Sequence, residues 1–386
     1  MKRKILKRFV ALSVIGAIVT IILSNTYTGR YIRWNLPDVY DLKKFPNEVV
    51  ENSDRRLILP KKENNTISNI QFELKGEKLS LNELVENTNT NAFLILHNDT
   101  IIYEKYSNGN SEETLFKLFS ATKSVLSALI GIAIDEGKIK SIEDPVGNYV
   151  KGFKNPEVEN LSIKYFLNQT TGIKFNTSYM PWGDKPKTYY KPNIRRFSKK
   201  VELDKSKIGM HSNSEHNTNI LALVLENATH VKIYDYLSEK IWKPAGMNYK
   251  ASFSIDSKKN KLACVSHGLN ATATDFLIFG KLYLDKGFIN GKQIISEQWV
   301  VESTSLDNSI TTHDYYKNYN SLWWLLKSGD YFANGHFGQR LYISPETNTV
   351  IVRLGEKSGG IGWEFDVFPK IIEEFKNSNV NQLVQN

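Results

Sequence analysis

The order of elements along the 386 residues predicts an α+β fold, an antiparallel β-sheet flanked by helices and carrying an all-α insertion. Three observations predict it. Two apolar, β-prone runs at 91–97 and 100–106 are separated by Asn98-Asp99, a hairpin signal. Helical periodicity then fills the middle of the chain. The C-terminal part returns to short β runs joined by tight turns and closes on a helix, without internal repeats.

Taken in order, the chain starts with Lys2, Arg3, Lys4, Lys7 and Arg8, followed by an apolar run at 9–24. Residues 1–28 read as an uncleaved signal anchor with its positive end inside. That makes the protein a single-pass protein of a bacterial cell membrane with an extracytoplasmic domain. The alternative is a cleaved signal and a periplasmic or secreted protein. No cysteine follows the run, so a lipobox is excluded. Residues 29–78, with Pro37, Pro46 and Pro60, read as an extracytoplasmic arm or linker lying on the domain. The domain itself is expected over 79–380, with its helical insertion at about 138–265.

Within that domain a helix follows Ser120 and closes near Gly137. Short helical patterns lie at 163–167, 219–226 and 231–237, and a longer one at 273–284 stops at Lys286-Gly287. Strands are expected at 321–326, 331–337, 339–344 and 349–354, the last two joined by a turn at 345–348. A final helix is expected at 367–375.

Composition excludes several classes. A hydrophobic content of 41% with 12% aromatic residues is that of a globular chain, not a disordered one. The net charge of +9 owes five charges to the N-terminal cluster, and no Arg-rich stripe exists, so a nucleic-acid partner is not expected. The single cysteine, Cys264, forbids an intrachain disulfide and fits a buried structural thiol. His211 and His216 are five apart and lack a metal-binding pattern, so no metal and no cofactor are expected. There is no Gly-x-Ser-x-Gly elbow and no phosphate-binding loop; 357–362 reads as a flexible Gly-rich loop.

Chemistry concentrates at Ser120 and Lys123, where an extended stretch becomes a helix. Residues three apart share a helical face, so hydroxyl and ammonium can enter one pocket. The helix N-terminus and burial both lower a lysine pKa. A neutral lysine beside a serine is a general base beside a nucleophile. Ser-x-x-Lys occurs here only once and is a signature of serine acylation enzymes.

The segments 116–124, 135–146, 167–173 and 241–247 together resemble the landmarks of the serine β-lactamase and penicillin-recognising superfamily, in the right order from about residue 85 to the C-terminus. Segments 268–275, 279–284, 291–300, Trp323-Trp324 and 335–339 are similar to its class C-like branch of 6-aminohexanoate-dimer (nylon-oligomer) hydrolases and esterases. The resemblance implies a β-lactamase/transpeptidase-like fold with the cleft between an α/β part and an all-α part. It implies acyl transfer, with Ser120 attacking an amide or ester carbonyl and Lys123 taking its proton. The oxyanion donors it implies are the N–H groups of Ser120 and, after Gly338, of Gln339. His336-Phe337-Gly338 stands for the family's Lys-Thr-Gly, which disfavours a DD-peptidase or β-lactamase proper, and Tyr179 stands for a substrate-facing tyrosine.

The chain departs from the family at its third hydroxyl, which is usually a tyrosine that relays protons to the leaving group. No tyrosine occurs between Gly209 and Ala222. Counting without gaps places Asn213 there; one extra residue places Ser212 there. Both registers stay open, with Ser212 taken as the catalytic candidate and Asn213 as a binding one. The expectation is a serine hydrolase for a small amide, ester or peptide-like substrate. The alternative is a catalytically impaired penicillin- or peptidoglycan-binding or sensor domain.

Overall fold

A computed structural model describes residues 10, 13, 14, 16, 25–74, 76–306 and 318–384. Among these the chain enters helix α1, Tyr27–Trp34, and strand β1, Asn47–Val50. Helix α2, Asn65–Ser68, the hairpin of β2 (Gln71–Leu74) and β3 (Glu77–Ser80), and helix α3, Leu81–Asn87, come next. Strands β4, Thr90–His97, and β5, Thr100–Tyr106, pair antiparallel across Asn98 and Asp99. Both turn residues have positive φ, 46° and 61°. Short polar side chains tolerate that conformation, which a two-residue hairpin requires, so the turn forms where the sequence signals it.

Strand β6, Phe116–Lys117, leads through a 3-10 turn, Phe119–Ala121, into helix α4, Thr122–Asp135. The middle of the chain holds α5 (Ile163–Leu167), α6 (Asp184–Tyr190), α7 (Ile194–Ser198), α8 (Glu215–Thr229) and α9 (Ile233–Leu237). Then follow β7 (Ala251–Ser254), β8 (Leu269–Ala271), α10 (Ala273–Leu284), the small hairpin β9 (Phe288–Ile289) with β10 (Lys292–Gln293), and α11 (Glu297–Thr304). Strands β11 (Asn318–Asn320), β12 (Trp323–Leu325), β13 (Tyr331–Gly335), β14 (Gln339–Ser344) and β15 (Thr349–Gly355) precede the closing helix α12, Phe368–Val384.

The main sheet is antiparallel, in the order β11-β12-β13-β14-β15-β4-β5. Its N-terminal hairpin therefore docks on the C-terminal strands, with Ile351 opposite Ile95. Alternation along β4 explains the layers. Leu94 and Leu96 face a core shared with α4 and α10, while Phe93 and Ile95 face Trp363, Phe368 and Ile371 on the other side. Helix α4 is buried on all sides from Thr122 to Ala133, as a helix apolar around its whole circumference must be. The predicted α+β class, an antiparallel sheet flanked by helices, is what the chain forms.

A second sheet, β1-β7-β8-β6, carries the chain to the 3-10 turn after β6. Its edge strand β1 lies in the stretch read as an arm, and pairs Val50 with Ala251.

Among the described residues no helix is long and apolar enough to cross a membrane. This corrects the expected signal anchor, and the membrane attachment and bacterial-membrane or extracytoplasmic location inferred from it are dropped. A span needs about 20 consecutive apolar helical residues. Of the run at 9–24, only Val10, Ser13, Val14 and Gly16 are described; the rest of that expectation lies outside the described residues.

Candidate active site

Ser120 occupies the 3-10 turn at the mouth of α4. The residue before it, Phe119, has a left-handed φ of 48°, a strain of about 1–3 kcal/mol for a side chain of this kind. Packing holds it there: the Phe119 ring meets Phe337 at 5.3 Å and His336 at 6.0 Å. Half-buried Ser120 and buried Lys123 line one cavity of about 780 Å³.

Lys123 is 3% exposed. Burial drives its pKa below the ordinary lysine value; the charge of Glu215 opposes that fall and the charge of Lys185 adds to it. Lys123 Nζ donates to Asn213 Oδ1 at 2.8 Å. The side chain that meets the lysine is therefore an amide, which accepts a hydrogen bond but cannot carry a proton onward. Ser212 lines the same cavity and is exposed. Among the described residues no hydrogen bond joins its hydroxyl to Ser120 or Lys123; only its main-chain N–H is engaged, with Gln169 O at 2.8 Å.

Gln169 fixes that segment. Its own φ is 58°, and its Oε1 accepts from Ser214 N at 2.9 Å and Asn217 Nδ2 at 3.3 Å. Thr171 adds a hydrogen bond to Asn217 Oδ1 at 2.8 Å. Asn168 Oδ1 accepts from Ser321 N at 2.9 Å, which ties the same bracket to the main sheet. The stretch 167–173 thus locks the approach to α8, and Asn213 with it.

On the opposite wall the end of β13 presses directly on the turn that carries Ser120. A Cβ at Gly335 would lie 2.3 Å from Leu118 O and 3.3 Å from Ala121 N, so only glycine allows this approach. His336–Gly338 is the turn that follows, with Phe337 at φ 60°. His336 stands on the cavity rim. Surrounding protein, then Lys185 and Arg340, hold its pKa below the ordinary histidine value, so it is neutral at pH 7. Gly338 also lines the cavity. The Gln339 N–H, expected as an oxyanion donor, is donated to His336 O inside the turn. Its side chain clamps Gly355 with bonds of 2.6 and 3.2 Å. Gln339 therefore braces the turn, and its N–H is already engaged.

Tyr179 lines the cavity and is 46% exposed. Lys185 Nζ lies 4.5 Å from its ring centroid and 3.4 Å from its hydroxyl. The loop carrying Tyr179 is tied to α1, because Tyr31 Oη donates to Tyr179 O at 3.1 Å and Tyr27 Oη to Pro181 O at 2.6 Å. Tyr31, Asn35, Leu36 and Pro37 consequently form part of the cavity wall. Buried Arg30 anchors them by donating to Asp256 O at 2.6 Å.

Sequence reasoning missed Glu215, Lys185, Asn334, Gly335 and this arm, all of which line the cavity in addition to the expected residues. Gly335 carried a signal, a glycine directly before His336 at a strand end; the others belong to no motif.

Residues 81–362 match the family model described as Beta-lactamase. The chain is 25% identical over 294 residues to the 6-aminohexanoate-dimer hydrolase of Paenarthrobacter ureafaciens, covering 71% of this chain and 74% of that protein. It is 26% identical over 185 residues to penicillin-binding protein 4* of Bacillus subtilis (strain 168), covering 46% and 39% respectively. In three dimensions it is similar to a Bacillus anthracis protein provisionally named a 6-aminohexanoate-dimer hydrolase, with TM-score 0.77, 22% identity and coverage of 92% and 95%. It is also similar to EstCE1, a hydrolase with promiscuous acyltransferase activity, with TM-score 0.61, 14% identity and coverage of 76% and 95%.

Proposed function

The chain belongs to the Beta-lactamase family, and from that premise we propose that it is a serine hydrolase cleaving an amide or ester bond through an acyl-enzyme on Ser120, with Lys123 as general base. The observation that carries this reading is the buried, pKa-lowered Lys123 one helical turn from a serine on the same cavity. In the neutral form Lys123 takes the Ser120 proton as Oγ attacks the carbonyl, then returns it to the leaving nitrogen or oxygen. The Ser120 N–H faces the developing oxyanion from the helix mouth. The second donor is the N–H of His336, in the first position of a helical turn, where a backbone N–H has no partner within the turn. This strand end is the one that Gly335 holds against the nucleophile turn. Names of relatives support the class: one is a 6-aminohexanoate-dimer hydrolase and another a hydrolase with promiscuous acyltransferase activity.

Nitrophenyl acetate and a short nitroanilide test it. Turnover is expected to fall at least about 10³-fold in Ser120→Ala and by about 10²–10⁴-fold in Lys123→Ala. Turnover that survives Ser120→Ala overturns the reading.

One observation favours a second reading. The Asn213 amide on Lys123 cannot relay a proton, which fits a domain that acylates and then releases its product slowly, as a penicillin- or peptidoglycan-binding sensor would. Ser120-dependent turnover well past the first equivalent rejects it.

A further inference from the structure

A hydrolase that lacks a hydroxyl on its lysine still has to deprotonate the water that frees the acyl group. Two residues beyond Asn213, Glu215 opens α8 and lines the cavity that holds Ser120 and Lys123. Its side chain is half-buried, and its enclosed Oε2 has no hydrogen-bond partner among the described residues, a cost that a structural carboxylate ordinarily avoids. The segment that carries it is rigid: Gln169 Oε1 holds Ser214 N, and Ser214 Oγ accepts from His216 N at 3.3 Å as the helix cap. The Glu215 charge also reaches Lys123, where it opposes the effect of burial.

We propose that Glu215 is the general base of deacylation, receiving a proton from the hydrolytic water at the acyl-Ser120 carbonyl. This rests on the acyl-enzyme reading above. In the step, one O–H bond of water breaks and its proton goes to the Glu215 carboxylate while the water oxygen bonds the acyl carbon. The tetrahedral intermediate then collapses, the bond from carbon to Ser120 Oγ breaks, and Oγ receives that proton back through the Lys123 nitrogen. The acid leaves with the second hydrogen of the water, and Glu215, Lys123 and Ser120 return to their starting protonation states. Asn213 orients the lysine throughout; Glu215 supplies the second acid–base group.

Stopped-flow hydrolysis of nitrophenyl acetate by the full chain separates the two steps. Glu215→Gln is expected to keep a nitrophenolate burst of one equivalent while steady-state release falls about 10²-fold or more. Its acyl adduct then accumulates in the intact mass spectrum. Hydroxylamine, a nucleophile that needs no base, restores release. A steady-state rate within about threefold of wild type, or a burst and steady state that fall together, overturns the proposal. If Glu215→Gln does not fold, Glu215→Asp decides: a full burst with slowed release supports the proposal, and unchanged release overturns it. A burst that persists in Ser120→Ala instead brings down the acyl-enzyme reading, so the two failures are distinguishable.

Discussion

The shared cavity of Ser120 and Lys123, the proposed nucleophile and base, was legible because the two sit three residues apart in one local segment, and local spacing survives folding unchanged. Their surroundings were less legible because they come from distant segments. The sequence left two registers for Lys123's partner; the structure puts Asn213 Oδ1 at 2.8 Å from Nζ. Glu215 carried no signal, since a carboxylate in the first turn of a helix is common for electrostatic reasons alone. The lowered pKa of Lys123 has a consequence with a definite sign. Its base form exists above its pKa and is lost as the pH falls through it, so kcat/KM rises with pH along a limb centred below the ordinary lysine value of about 10.4. A pH profile without that limb, or with it at the ordinary value, contradicts the assignment. Gly335 makes a second residue-scale prediction. Gly335→Ala forces β13 away from the nucleophile turn, and kcat is expected to fall about 10²-fold; an unchanged kcat contradicts the contact.

At the scale of elements, strands and hairpins were read well because turn chemistry is local. Asn98-Asp99 adopts the left-handed pair that the sequence signals, and 345–348 joins β14 to β15. The stretch before residue 79 read only as a polar, Pro-containing arm. Its helix α1 is held from elsewhere, by Arg30 on Asp256 O and by Tyr190 Oη donating to Asn35 O. No periodicity within the arm encodes those partners. Because Leu36 and Pro37 wall the cavity, the arm is expected to limit acyl length. Leu36→Ala should raise kcat/KM for butyrate and hexanoate esters severalfold relative to acetate; an unchanged ratio removes the arm from specificity.

Across the whole molecule, the α+β class followed from element order, and both faces of the sheet are covered as its alternating apolar residues require. The packing of the arm and α6 against the second sheet was not legible, and it contains a buried cation. Lys117 is 1% exposed, with Nζ at 5.3, 5.7 and 5.9 Å from the rings of Phe45, Phe119 and Tyr189. Burial lowers its pKa to about 8. Between pH about 8 and the unfolded lysine value near 10.4, the unfolded chain binds a proton that the folded chain has released, so stability rises with pH across that window. Urea melts should show wild type gaining stability relative to Lys117→Met from pH 8 to 10. A flat difference contradicts the buried-lysine account.

The most direct test of the acyl-enzyme is intact-protein mass spectrometry after treatment with a fluorophosphonate. The account predicts a single adduct that maps to Ser120, forms more slowly in Lys123→Ala and is absent in Ser120→Ala. An adduct of undiminished yield in Ser120→Ala would contradict it.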